Sequence, residues 1–179
     1  MIQKKKFLNN YFASIYKHLT KLEIKEFEKS IKLIKKIKNH NKIIFVGNGG
    51  SASIASHCAT DFNKFLKKRS TTFNDANFIT CYANDYGHEN WMKEALKIHG
   101  CKNDLLILIS SSGESKNILK CATQAKKMGI KIITFSGFEK KNKLRSMGNI
   151  DFWVDSKNYN KVEMTHHIWI LSFVEYLME

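Results

Sequence analysis

An α/β fold, a five-stranded parallel sheet with helices on both faces, is predicted by three features of this 179-residue chain. Unbroken apolar runs such as Ile43–Val46 and Leu105–Ile109 read as strands buried on both faces. Each run stops abruptly in small and hydroxyl residues and opens at once into a helical pattern. That strand–loop–helix unit then recurs along the chain with short connections, which implies parallel pairing.

Two helices precede the sheet. Residues 2–20 carry Phe7, Leu8, Tyr11, Phe12, Ile15, Tyr16 and Leu19 at helical spacing, and residues 22–39 carry Ile24, Phe27, Ile31, Ile34 and Ile37. The aromatic stripe of the first is either core or an oligomer interface. From residue 42 the pattern predicts strands near 42–47, 77–82, 104–109, 130–135 and 151–154. Helices follow near 51–66, 88–99, 115–128, 140–147 and 160–178. Flavodoxin-like order 2-1-3-4-5 places the switch point between strands 1 and 3, where ligands of such sheets bind.

Composition narrows the class. The chain contains no proline and no low-complexity linker, so residues 1–179 read as a single domain, with 1–40 a helical layer and 41–179 the α/β core. At this length a core burying roughly two thirds of the unfolded surface is expected. No apolar run approaches the ~20 residues of a membrane helix, and Met1–Lys6 has no apolar segment behind it to make a secretory signal. A cytoplasmic protein without membrane contact is the expectation. Cys58, Cys81, Cys101 and Cys121 lack C-x-x-C spacing and read as reduced thiols. The net charge of +14 is nearly all lysine, since Arg69 and Arg145 are the only arginines. Scattered lysine without bidentate arginine argues against a nucleic-acid partner and suits attraction of anionic small molecules.

Two loops carry the chemistry. Gly47-Asn48-Gly49-Gly50-Ser51 is neither a Walker loop nor G-x-G-x-x-G. It is either a plain tight turn or an anion seat, for which a helix N-terminus supplies free N–H groups and a positive dipole end. Ser110-Ser111-Ser112-Gly113-Glu114-Ser115 places four hydroxyls around one helix start, more than capping requires. That points to phosphate.

Three further groups are candidates. His57 and Asp61 share a helix face and suit one metal, an acid/base pair, or a local hydrogen bond. Asn84-Asp85-Tyr86-Gly87 follows the second predicted strand, where Asp85 would meet a substrate hydroxyl unless the segment is only a turn. On the closing helix Glu163 and His167 share one face, while Val162, His166 and Ile170 share another. Adjacent histidines cannot both enter one site, so one of the two belongs to surface or core.

Taken in order, Gly47–Ala52, His57-x-x-x-Asp61, Ala83–Gly87, Ser110–Ser115 and the closing helix resemble the sugar isomerase (SIS) domain family, and within it the bacterial phosphoheptose isomerases. Those enzymes interconvert sedoheptulose 7-phosphate and a heptose 7-phosphate for surface heptose; they are homotetramers, and many bind zinc. The resemblance implies substrate contacts at Asn48, Gly49, Gly50, Asn84, Asp85, Ser110, Ser111, Ser112 and Ser115. It implies metal or acid/base roles at His57 and at Asp61, where the family usually carries Glu. Two of the family's ligand positions differ: a Gln is replaced by Val162 and a His by Ile170. His166 lies one turn from each, so it is the expected substitute imidazole and a possible third metal ligand, with Asp61 as base. The alternatives to an isomerase are a non-catalytic sugar-phosphate-binding module that regulates a partner, or a replication-initiator partner of the same fold.

Overall fold

The computed structural model describes residues 2–179. Helices α1 (Ile2–Leu19) and α2 (Ile24–Lys36) precede a five-stranded sheet of β1 (Ile43–Gly47), β2 (Ser70–Thr72), β3 (Leu105–Ser110), β4 (Lys131–Ser136) and β5 (Ile150–Trp153). Between strands lie α3 (Gly50–Lys64), α4 (Ala76–Tyr86), α5 (Trp91–His99) and α6 (Lys116–Lys127), and α7 (Tyr159–Met178) closes the chain. The order is β2-β1-β3-β4-β5, and the pairs are all parallel. The switch point lies between β1 and β3, as the pattern predicts.

Period-two side-chain alternation divides the central strands between two cores. Phe45, Ile107, Ile109 and Phe135 face α2, α3 and α7, packing on Ile34, Phe62, Ile170 and Phe173. Ile44, Val46, Leu106 and Leu108 face the opposite layer, packing on Trp91, Leu96, Ile118 and Cys121. Every residue of β1 and β3 is buried, which is why both read as continuous apolar runs.

The second strand is not at 77–82. That segment lies in α4, because Asp75 caps a helix start with its carboxylate accepting from Asn77 and Phe78 N–H. Phe78 and Tyr82 stack at 4.5 Å, a contact of i,i+4 helical neighbours. The edge strand is the short polar Ser70-Thr71-Thr72, paired with Ile43–Phe45. An edge strand needs no apolar run, so its sequence carried little signal. The predicted helix over 140–147 is a 3₁₀ helix, Lys143–Met147.

Register fixes the site. Gly47 of β1 pairs with Ile109 of β3, so the two hydroxyl-rich loops leave the sheet at one level of its carboxyl edge.

Candidate functional site

Both loops line one cavity of about 290 Å³. Asn48, Gly49, Gly50 and Ser51 form one side, and Ser110, Ser111, Ser112 and Ser115 the other. Tyr159 and Glu163 at the start of α7 complete the wall. One glycine is favoured by its backbone conformation, and a second leaves room for a neighbouring side chain. Gly49 has φ +52°, in the left-handed region, and a Cβ at Gly50 would run into the Glu163 carboxylate.

The loops are braced against one another. Asn48 Nδ2 donates to Asn117 Oδ1 at 3.0 Å, and Asn117 Nδ2 donates back to Asn48 Oδ1 at 2.9 Å. The serine hydroxyls are only loosely engaged: Ser110 Oγ lies 3.4 Å from Ser115 Oγ, and Ser111 Oγ 3.5 Å from Glu163 Oε1. Ser115 is the N-cap residue of α6, yet its side chain makes no capping bond. Free hydroxyls at a helix start can donate to phosphate oxygens. Among the described residues, Glu163 is the one carboxylate on the cavity wall. Burial pushes its carboxyl up from the usual range, only partly offset by the Ser111 hydroxyl.

Asn84 and Asp85 are not part of this wall. They occupy the last turn of α4, where Asn84 Nδ2 donates to its neighbour Asp85 Oδ1 at 3.0 Å. The loop expected there depended on the strand at 77–82 and was replaced together with it.

His166 is also displaced from its expected role. It is fully buried, with Nε2 3.0 Å from the Ser136 carbonyl and its ring against Phe135. Burial lowers its pKa to about 4, so it is a neutral core imidazole. Val162 and Ile170 are buried beside it in the same core.

The imidazole that faces α3 belongs to His167. Its Nε2 lies 2.8 Å from His57 Nδ1, while His57 Nε2 lies 3.2 Å from Asp61 Oδ2. Desolvation and the neighbouring His57 lower the His167 pKa, and Asp61 opposes them. This arrangement does not fit the family's zinc. Asp61 and His167 sit at opposite nitrogens of one ring, and the two other ligand positions hold buried aliphatic side chains. Among the described residues, no three His, Cys, Asp or Glu side chains are placed to hold a metal ion.

Glu163, Tyr159 and Asn117 were not assigned to the site by sequence reasoning. Glu163 had a signal, since it shares the α3-facing stripe of its helix with His167. Asn117 had none beyond its position two residues past the serine loop.

The description "SIS domain" matches residues 8–137. Phosphoheptose isomerase of Helicobacter pylori (strain Shi470) is 35% identical over 144 residues, covering 77% of this chain and 74% of that protein. Phosphoheptose isomerase of Thermodesulfovibrio yellowstonii is 35% identical over 165 residues, covering 84% and 82%. The solved phosphoheptose isomerase of Neisseria gonorrhoeae superposes with a TM-score of 0.88 at 22% identity, covering 99% and 98% of the two chains. The chain belongs to the SIS-domain family and, within it, to the phosphoheptose isomerases.

Proposed function

We propose that this protein is an aldose–ketose isomerase that interconverts sedoheptulose 7-phosphate and a heptose 7-phosphate, an early step in making heptose. The observation that carries the reading is the convergence of two hydroxyl- and glycine-rich loops on one cavity that also holds Glu163. Ser112 and Ser115 take the phosphate, Asn48 and Gly49 meet the sugar, and the α6 N-terminus adds its dipole. Phosphate binding positions the reacting carbons. Glu163 handles the carbon-bound proton, taking it from C1 and returning it to C2, a task suited to a carboxylate whose pKa is raised by burial. Incubation with sedoheptulose 7-phosphate, followed by detection of the aldose, tests this directly.

Buried Val162 and Ile170 at two family ligand positions favour a second reading, a module that binds sugar phosphate without turning it over. Tight binding with no aldose formed would select it.

We further propose a homo-oligomer, most simply a tetramer. No residue of α1 is buried, and Phe7, Phe12 and Tyr16 are each at least 60% exposed. Such an apolar stripe gains by burial against another copy. Light scattering at micromolar concentration checks it. Among the described residues, no helix is long and apolar enough to cross a membrane. The cytoplasm, where the four free thiols stay reduced, is the compartment we assign.

A further inference from the structure

Where α7 lies against α3, a second proton-handling group stands one turn past the cavity's Glu163. Gly50 meets Glu163 on the cavity wall, and His57 meets His167 farther along. His167 follows Glu163 by four residues, which puts it on the same face about 6 Å along the helix.

The hydrogen bonds dictate the tautomers. An ionised carboxylate only accepts, so the 3.2 Å contact to Asp61 Oδ2 requires the proton of His57 on Nε2. In the neutral His57 ring Nδ1 is then an acceptor, and the 2.8 Å contact makes His167 Nε2 the donor. His167 Nδ1 remains as a lone pair without a hydrogen-bond partner among the described residues. A carboxylate orienting one imidazole, which orients a second, follows the logic by which a buried acid holds a catalytic histidine in its reactive tautomer.

We propose that His167 Nδ1 exchanges the hydroxyl protons of the isomerisation, with His57 and Asp61 as its positioning residues, so that this chain carries out without a metal ion the step that the missing family ligands would have supported. The inference rests on the isomerase reading above. The step balances. Glu163 takes the C1 proton, the C1–H electron pair becomes the C1=C2 bond, and the C2 carbonyl pair moves onto O2. His167 Nδ1 takes the O1 hydroxyl proton and delivers it to O2. The O1 lone pair then forms the C1 carbonyl as Glu163 returns its proton to C2. One proton has moved from C1 to C2 and one from O1 to O2, with no other reactant.

The test compares wild type with His167→Ala and His167→Asn, using sedoheptulose 7-phosphate and purified protein of measured metal content. His167 is only partly buried and belongs to neither core cluster, so both variants should fold; should His167→Ala not, the Asn variant carries the test. The expected result is a kcat lower by about 10²–10⁴-fold with KM little changed, the range for a positioned acid or base. Added imidazole should restore part of the turnover of His167→Ala, which a purely structural role would not allow. Wild-type kcat in either folded variant would overturn the proposal. So would loss of wild-type turnover on chelation that zinc restores. Absence of turnover by the wild type would overturn the isomerase reading, and this inference with it.

Discussion

The two ends of β1 and β3 use their polar groups in opposite ways. At the amino end, Asp104 is 1% exposed and accepts four bonds: Asn41 Nδ2 and Lys42 N–H on Oδ1, Cys101 N–H and Lys42 Nζ on Oδ2. Burial alone would raise its pKa, but these donors outweigh burial and hold it below the usual carboxylate range. At the carboxyl end the Ser110 and Ser111 hydroxyls sit 3.4–3.5 Å from their partners, and the Glu163 carboxyl is pushed up. One end is satisfied and locks strand to strand. The other is underused and open, as a site awaiting a ligand must be.

The sharpest break of this contrast is Glu163→Gln. Turnover should fall about 10²–10⁴-fold if Glu163 carries the carbon proton. Stability should not fall with it. A folded pKa above the unfolded value means that, above that unfolded value, ionisation favours the unfolded chain. Removing the charge should therefore leave the thermal midpoint at pH 7 unchanged or slightly raised. Calorimetry beside steady-state kinetics reads both.

Asp104→Ala should do the reverse. Removing one partner of a buried, fully bonded pair costs roughly 3–5 kcal/mol, because Lys42 and two N–H groups lose their acceptor. The kcat of the folded fraction should be unaffected. Its linkage has the opposite sign to that of Glu163: with the folded pKa depressed, the stabilisation is present above the unfolded value and is lost as pH falls through the folded one. Urea denaturation from pH 7 to pH 3 tests both statements.

His166 tests the boundary between core and cavity. Its pKa of about 4 lies below the ordinary 6.5, so the unfolded chain binds a proton that the folded one excludes. Stability should decline as pH falls from 6.5 towards 4, by up to about 3 kcal/mol. His166→Gln should flatten that slope. A pH-independent slope in the wild type would place the ring in contact with water instead.

The architecture was legible because the central strands are buried on both faces, so β1 and β3 announce themselves as apolar runs, and both loops begin where those runs end. The edge strand was not, since Ser70–Thr72 pairs on one side only and carries no apolar signature. Its loss moved Asn84 and Asp85 from a supposed loop into a helix. The histidines failed for another reason. Helical spacing assigns His166 and His167 to different faces correctly, but sequence alone does not say which face meets α3. Counting from Glu163, whose carboxylate abuts the first loop, selects His167; counting from the family's missing ligands selects His166. Packing decides for the first.

The smallest effect belongs to the serine loop. Ser115 stands at the N-cap of α6 without making a capping bond, so replacing it removes no backbone partner. Ser112 Oγ accepts only the Glu114 N–H at 3.2 Å, on an exposed turn. The double variant Ser112→Ala, Ser115→Ala should therefore keep its thermal midpoint within a degree or two of wild type, since both half-buried side chains lie outside the core and substitutions away from it change stability by about 0.5 kcal/mol or less. What it loses is donors to a charged ligand. Hydrogen bonds to charged groups are worth roughly 1.5–3 kcal/mol, so KM should rise about tenfold or more. The kcat should change less than KM, because the phosphate is bound alike in ground and transition states. Inorganic phosphate should compete with the sugar phosphate in the wild type and do so more weakly in the variant. An unchanged KM in the double variant would move the phosphate off this loop, and the contrast between a satisfied and an open sheet edge would lose its functional meaning.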